Sequence, residues 1–233
     1  MALPPSSPGD AFIREVDDNL RRDRTIDMAR AYGKYAVGAM LLVLAAIGGW
    51  LYWQDHQAKQ AAVDSETLSA TLDDVGNGSL ATAPQRLQAL STADSAAIRA
   101  SALFTRAALA LRQGDRPAAS KIYGSIAGDD KLARPWRDMA TVRGVATDYD
   151  TLKPDQVIIR LADLAKPGNP FFGSAGEMTA TALIAKGDKA GAGRMFASMA
   201  ADRTVPDTIR SRAVAIAGTL GVDASASLPK PAL

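Results

Sequence analysis

The sequence has no cysteine, and that absence removes disulfides, thiolate metal sites and cysteine nucleophiles together. It leaves the compartment open, since a cysteine-free chain suits an oxidising and a reducing environment equally. Histidine occurs once, at His56, so a multi-histidine metal centre is excluded and a Ser-His-Asp triad would have to be built on that residue. His56 lies just past a long apolar run, where it reads as an interfacial side chain. Aromatic residues make up only 6% of the chain, and the formal net charge of +2 gives no whole-chain signal for nucleic-acid binding. A Walker loop, a Gly-x-Ser-x-Gly elbow and a histidine pair are all missing. The adjacent carboxylates Asp73-Asp74 and Asp129-Asp130 diverge on a helix and read as solvated ends, and Gly187-Asp188 reads as a turn. Catalysis, a cofactor, a metal and a small-molecule substrate are therefore not expected.

What is present is apolar and small. Hydrophobic residues are 47% of the 233, led by alanine and leucine, strong helix formers that point to an all-α fold. Residues Tyr35 to Trp53, YAVGAMLLVLAAIGGWLYW, carry no charge. As a helix they would span roughly 28 Å, close to the thickness of a bilayer's hydrocarbon. Tyr32 and Tyr35 flank one end and Trp50, Tyr52 and Trp53 the other, the placement expected of rings at two membrane interfaces. A cleaved signal peptide would have a shorter apolar region, few residues before it and a small-residue cleavage site, so the segment is expected to stay. Arg14, Arg21, Arg22, Arg24, Arg30 and Lys34 precede it, against Lys59 alone in the fifteen residues after it. That asymmetry predicts a single pass with the N-terminus in the cytoplasm and the rest on the outer, periplasmic side.

The organisation follows from punctuation. A cytoplasmic segment covers 1–34, a transmembrane helix 35–54, a helical extension and linker 55–78, a helical-repeat domain 79–221 and a disordered tail 222–233. The three prolines of residues 1–10 predict disorder there. In the stretch from Ala11 to Arg30, Phe12, Ile13, Val16 and Leu20 share a helical face, either near the membrane surface, against a partner or simply solvated. No breaker follows the apolar run until Gly76, so one rod should reach about Val75. Further helices are expected near 80–91, 95–113, 116–127, 133–148, 154–165, 171–186, 189–200 and 206–219.

LRQGDRPAASKIYGSIA, Leu111 to Ala127, aligns with IAKGDKAGAGRMFASMA, Ile184 to Ala200, at an offset of 73 residues. Gly114 meets Gly187, Asp115 meets Asp188, Ala119 meets Ala192 and Tyr123 meets Phe196. Glycine suits the left-handed end of one helix, the alanine allows close helix contact, and the aromatic one turn on fills the space between paired helices. Two units of 34 to 37 residues match the tetratricopeptide period. Leu103 and Ala107 open the first unit, Trp136 and Ala140 a stretched second one, and Ala180 and Leu183 the third. The expected fold is a single N-terminal transmembrane helix followed by a tetratricopeptide-like helical-repeat domain, against an irregular bundle.

Gly49-Trp50-Leu51-Tyr52-Trp53 followed by His56-Gln57, and Leu183-Ile184-Ala185-Lys186-Gly187-Asp188-Lys189 followed by Gly191-Ala192, carry a family likeness. Together with the layout, they make the chain resemble the ancillary subunits of the Sec translocon, inner-membrane proteins with a tetratricopeptide-like periplasmic domain. The resemblance implies a non-catalytic partner of translocon subunits associated with periplasmic chaperones. The N-terminal segment, Ala11 to Arg30, is longer and less acidic than in that family. An envelope or cell-division scaffold binding cell-wall synthases is the alternative.

In a tetratricopeptide array the first helix of each pair lines the binding groove. The pattern places Ser101, Phe104, Ala108, Arg134, Arg137, Thr141, Glu177 and Thr181 there. Phe104 is then either an apolar anchor or ordinary core, and Arg134 with Arg137 either attract carboxylates or form a solvated face. Ala45-x-x-x-Gly49 would permit close helix contact within the membrane.

Overall fold

The computed structural model describes residues 8–228. The side chains of residues 8–29, and those of Ala31 and Ala36, lie outside the description. The described residues form nine α-helices and no strand: α1 (Pro8–Gly76), α2 (Ala83–Leu90), α3 (Ala96–Arg112), α4 (Arg116–Ala127), α5 (Arg134–Asp148), α6 (Pro154–Leu161), α7 (Phe172–Ala185), α8 (Lys189–Ala201) and α9 (Asp207–Thr219). A short 3-10 turn follows at Ser225–Ser227. Four of the helices, α2, α4, α5 and α6, carry proline in their first two positions, where the missing N–H has no intrahelical partner to lose.

The chain divides between Gln60 and Ala61 into two compact units. In the first, Tyr32, Tyr35, Trp50, Tyr52, Trp53 and the apolar residues between them are exposed. This helix is long and apolar enough to cross a membrane, and none of its apolar stretch is buried. Lys34 sits over the Tyr35 ring at 5.0 Å, and Tyr52 stacks on His56 at 6.5 Å. The expected disorder of residues 1–7 and the side-chain face of Phe12, Ile13, Val16 and Leu20 lie outside the described residues. Pro8, Gly9 and Asp10 are already helical.

The second unit packs successive helices against one another around four apolar clusters. One turn recurs through it. At Gly114 (φ +79°) the Asp115 N–H bonds back to the Ala110 carbonyl at 2.8 Å. At Gly187 (φ +87°) the Asp188 N–H does the same to Leu183 at 2.9 Å. Each aspartate then caps the next helix, accepting from Ala118 N–H at 3.0 Å and from Gly191 N–H at 2.8 Å. Gly78 and Gly221 close α1 and α9 with the same long-range bond, Ser79 to Asp74 at 2.8 Å and Val222 to Ala217 at 2.9 Å. The helices α1, α3, α7 and α9 end in this turn, whereas α5, which ends near Asp150 midway between Gly114 and Gly187, does not.

The 73-residue offset extends far beyond the seventeen residues in which it is visible in sequence. It superimposes α3–α4–α5 on α7–α8–α9, with Arg116 on Lys189 and Arg134 on Asp207 opening the second and third helices of each motif. Burial follows the same offset. Ala102 and Ala175, Ala107 and Ala180, Ala119 and Ala192, Tyr123 and Phe196, Ile126 and Met199, Leu132 and Val205, Ala140 and Ala213 are all buried in pairs. In each motif the middle helix packs on both others, α4 on α3 and α5, and α8 on α7 and α9. The helix α6 bridges the two motifs.

Three boundaries differ from expectation. Residues 55–78 are not linker throughout: from Ala61 onward they belong to the compact unit, where Leu68 and Val75 pack on Leu87, Leu90 and Ile98, and Thr71 is fully buried. The tail beyond Val222 is not loose as far as Leu228. Val222 packs against α8 at Gly193, Ala224 is buried, and the Arg210 guanidinium donates to the Ser227 carbonyl at 3.2 Å. Residues 229–233 lie outside the described residues. Finally, α6 stops at Leu161 rather than 165, because Pro167-Gly168 turns the chain. Leu164 and Ala165 are still buried in that turn.

Candidate interaction surface

Side-chain contacts link α3 to α5, the end of α5 to α7, and α7 to α9, so these four helices make one layer of the second unit. Phe104 of α3 meets the Trp136 ring of α5 at 5.9 Å. The Tyr149 hydroxyl, just after α5, donates to the Met178 carbonyl of α7 at 3.2 Å. Arg212 of α9 donates through Nε and an Nη to the two carboxylate oxygens of Glu177 on α7, at 2.6 and 2.8 Å. This fork-to-fork geometry is the strongest form of a surface ion pair, although both members are partly exposed, which limits its contribution to about 1 kcal/mol or less.

Two shallow cavities open between these helices. The first, about 300 Å³, is lined by Leu111, Arg116, Tyr123, Arg143, Ala146 and Thr147, at the junction of α3, α4 and α5. The second, about 330 Å³, lies between α7 and α9 and includes Glu177, Met178, Thr181, Arg212 and Ile216, with Phe196 of α8 and Tyr149 completing it. Tyr123 and Phe196 occupy the same repeat position, so each cavity meets the aromatic of the motif's middle helix. Burial raises the Tyr149 phenol above its ordinary value, Thr181 hydrogen bonding lowers it, and the charge of Asp150 raises it again.

The residues expected to line one groove do not share one surface. Glu177 and Thr181 line the second cavity. Thr141 lines a different cavity, of about 220 Å³, that includes Ser120 and Gly124 of α4 and Arg160 of α6. Arg134 is exposed, pairs with Asp138 at 3.4 Å, and lowers the pKa of Asp163 beyond α6 as a minor influence after Lys166. Arg134 and Thr141, at the start and middle of α5, thus lie near α6 and the turn that follows it. Phe104 is half-buried between Tyr123 and Trp136 and packs on the first motif's core, the core alternative rather than the free anchor. Arg137 is half-buried with its Nε unbonded. Ser101 is half-buried, Ala108 is exposed, and the Thr141 and Thr181 hydroxyls bond to carbonyls four residues back.

Sequence reasoning missed Arg143, Tyr149, Arg212 and Ile216. The 73-residue offset would have found two of them, since it carries Arg143 onto Ile216, an exchange of charge for hydrocarbon at one groove position. Among the described residues no group of three or more acidic or histidine side chains is placed to hold a metal ion.

A family model for the tetratricopeptide repeat-like domain matches residues 29–214. No curated protein and no solved structure matches the chain.

Proposed function

The chain belongs to the tetratricopeptide repeat-like domain family, and on that premise we propose that it is a membrane-anchored scaffold. Domains of this family generally mediate protein–protein interaction and are typically non-catalytic. The reading in full is an ancillary subunit of the Sec translocon, held by one inner-membrane span, whose periplasmic repeat domain links translocon subunits to chaperones. The observation that carries it is the pairing, in one chain, of an unburied apolar helix ringed by aromatics with a repeat domain. The excess of basic residues before Tyr35 supports a cytoplasmic N-terminus. The Gly49–Trp53 and His56-Gln57 sequence and the Lys186-Gly187-Asp188-Lys189 turn support the translocon family.

A span that confines the domain to a membrane raises its effective concentration beside a membrane partner, so each individual contact can be weak. The exposed rim residues Thr181 and Arg212, with the half-buried Glu177, suit such a contact. In-cell crosslinking followed by purification of the chain tests the proposal. Translocon subunits and a chaperone in the eluate are the expected outcome, and cell-wall synthases in their place would move the protein to envelope scaffolding. A reporter fused after Leu233 should be active only as a periplasmic one, and activity of a cytoplasmic reporter there would overturn the topology.

A further inference from the structure

Two aliphatic positions of the second motif are polar in the first, and both polar residues line the first motif's cavity. In the second motif, Ile184, Ile216 and Leu220 each pack on the core that contains Phe196. The residues 73 positions earlier are Leu111, Arg143, Thr147 and Tyr123, and these four line the 300 Å³ cavity of the first motif. Two aliphatic side chains have thus been exchanged, Ile216 for Arg143 and Leu220 for Thr147. What remains is an apolar lining of the buried Tyr123 with the exposed Leu111 and Ala146, in a cavity at the lower end of the size range of ligand pockets, ~300–1,000 Å³.

Its charge is one-sided. Arg116 and Arg143 are the ionisable residues with full charge in the lining, and neither an aspartate nor a glutamate joins them. Arg116 reaches Asp150 at 3.4 Å, with both side chains mostly exposed, an arrangement a competing carboxylate can replace at little cost. Among the described residues the exposed Arg143 guanidinium takes part in no ion pair or hydrogen bond.

Resting on the scaffold reading above, we propose that this cavity is a docking socket for a partner polypeptide that presents one leucine- or phenylalanine-sized side chain flanked by carboxylates. The apolar side chain takes the place that Leu220 fills in the second motif. The flanking carboxylates meet Arg143 and Arg116, which can grip them through paired N–H groups. Such a partner is selected by charge and by size together, and a basic segment with the same leucine is repelled.

The second motif supplies the test, because Thr147→Leu plugs the socket with the residue used at the equivalent position. The full-length chain in detergent micelles is titrated against a labelled synthetic peptide, leucine between pairs of aspartates, and binding is read by fluorescence anisotropy. Controls replace the leucine by alanine or the aspartates by lysines. The expected result is binding of the acidic leucine peptide alone, weakened about tenfold by Arg143→Glu and at least as much by Thr147→Leu. Helix content and melting midpoint should be unchanged in both variants. Equal binding of the acidic and basic peptides, or binding that survives Thr147→Leu in a folded protein, overturns the socket. Self-association that disappears in Thr147→Leu would give the site to a second copy and overturn the acidic partner. Failure of the two proposals is separable. Membrane crosslinks that persist in Thr147→Leu leave the scaffold standing without this socket, whereas a wild-type chain that crosslinks to no partner removes the scaffold reading whatever the peptide does.

Discussion

Where α3 carries Leu103, α7 carries Gly176, and the position that Ile126 fills on α4 holds Met199 on α8. A Cβ placed on Gly176 would lie 2.6 Å from the Met199 sulfur and 3.3 Å from the Phe172 ring. The first motif fills this helix interface from the α3 side and the second from the α8 side, by a longer and more flexible side chain. The groove face changes in a matched way. Phe104 plugs the first motif's valley against Tyr123 and Trp136, whereas its counterpart Glu177 leans to Arg212 and leaves Phe196 at the floor of a cavity. Common to both motifs are the Gly-Asp turn, the cap it supplies and the buried alanines. These fix the backbone, and the motifs are free to differ in what fills the spaces between helices.

The largest effect that tests this comparison is removal of the shared aromatic. Phe196 is fully buried, so Phe196→Ala should destabilise the second motif by about 3–5 kcal/mol in urea unfolding of fragment 61–233. Tyr123→Ala should cost a similar amount, because Phe104 loses its support as well. A loss below about 1 kcal/mol at either position would show that the aromatics are not equivalent core residues.

Next in size is the exchange across the helix interface. Gly176→Leu alone should overpack the contact and cost ~1–3 kcal/mol. Adding Met199→Ile, which imports the first motif's complete pair, should recover a good part of that loss. A double-mutant cycle reads the coupling directly, and additive losses would show that the two residues do not compensate each other.

The turn should respond equally in both motifs. Asp115→Ala and Asp188→Ala each remove one cap bond, with an expected loss of about 1 kcal/mol apiece. Unequal losses measured by the same unfolding assay would break the equivalence of the two turns.

The smallest effect concerns acid. Asp129 and Asp202, again 73 residues apart, both accept an N–H two residues on, from Lys131 and from Thr204. Only Asp202 also takes the Thr204 hydroxyl and the Gly168 N–H, and these bonds, the Thr204 hydroxyl foremost, hold its pKa below the ordinary 3.8. A carboxylate whose folded pKa is depressed gives stability that is present above 3.8 and lost as pH falls through the lower folded value. Asp202→Asn should therefore flatten the acid limb of the stability profile slightly, and an unchanged limb would dismiss the effect.

Much of this was legible in the sequence because it depends on local chemistry. An uncharged run with aromatic ends, prolines at helix starts and a Gly-Asp turn announce themselves residue by residue. The rest depends on three-dimensional complementarity. Leu103 against Gly176 and Phe104 against Glu177 are mismatches in an alignment and exchanges in the fold, so the repeat is hidden where it is most informative. Residues 61–76 continue a helix without a break, and only the spacing of Leu68, Thr71 and Val75 marks their entry into the core. The separation of Thr141 and Arg134 from Glu177 and Thr181 depends on how α5 packs on α4 and α6, which spacing does not record.

The central claim is that the layer of α3, α5, α7 and α9 is the partner face. A photo-crosslinking amino acid placed in membranes at Thr181 or Ala146, both on that layer, and at the highly exposed Ile159 of α6 tests it directly. The account predicts partner adducts from Thr181 and Ala146 and none from Ile159. Adducts from Ile159 with silence at the other two positions would contradict it.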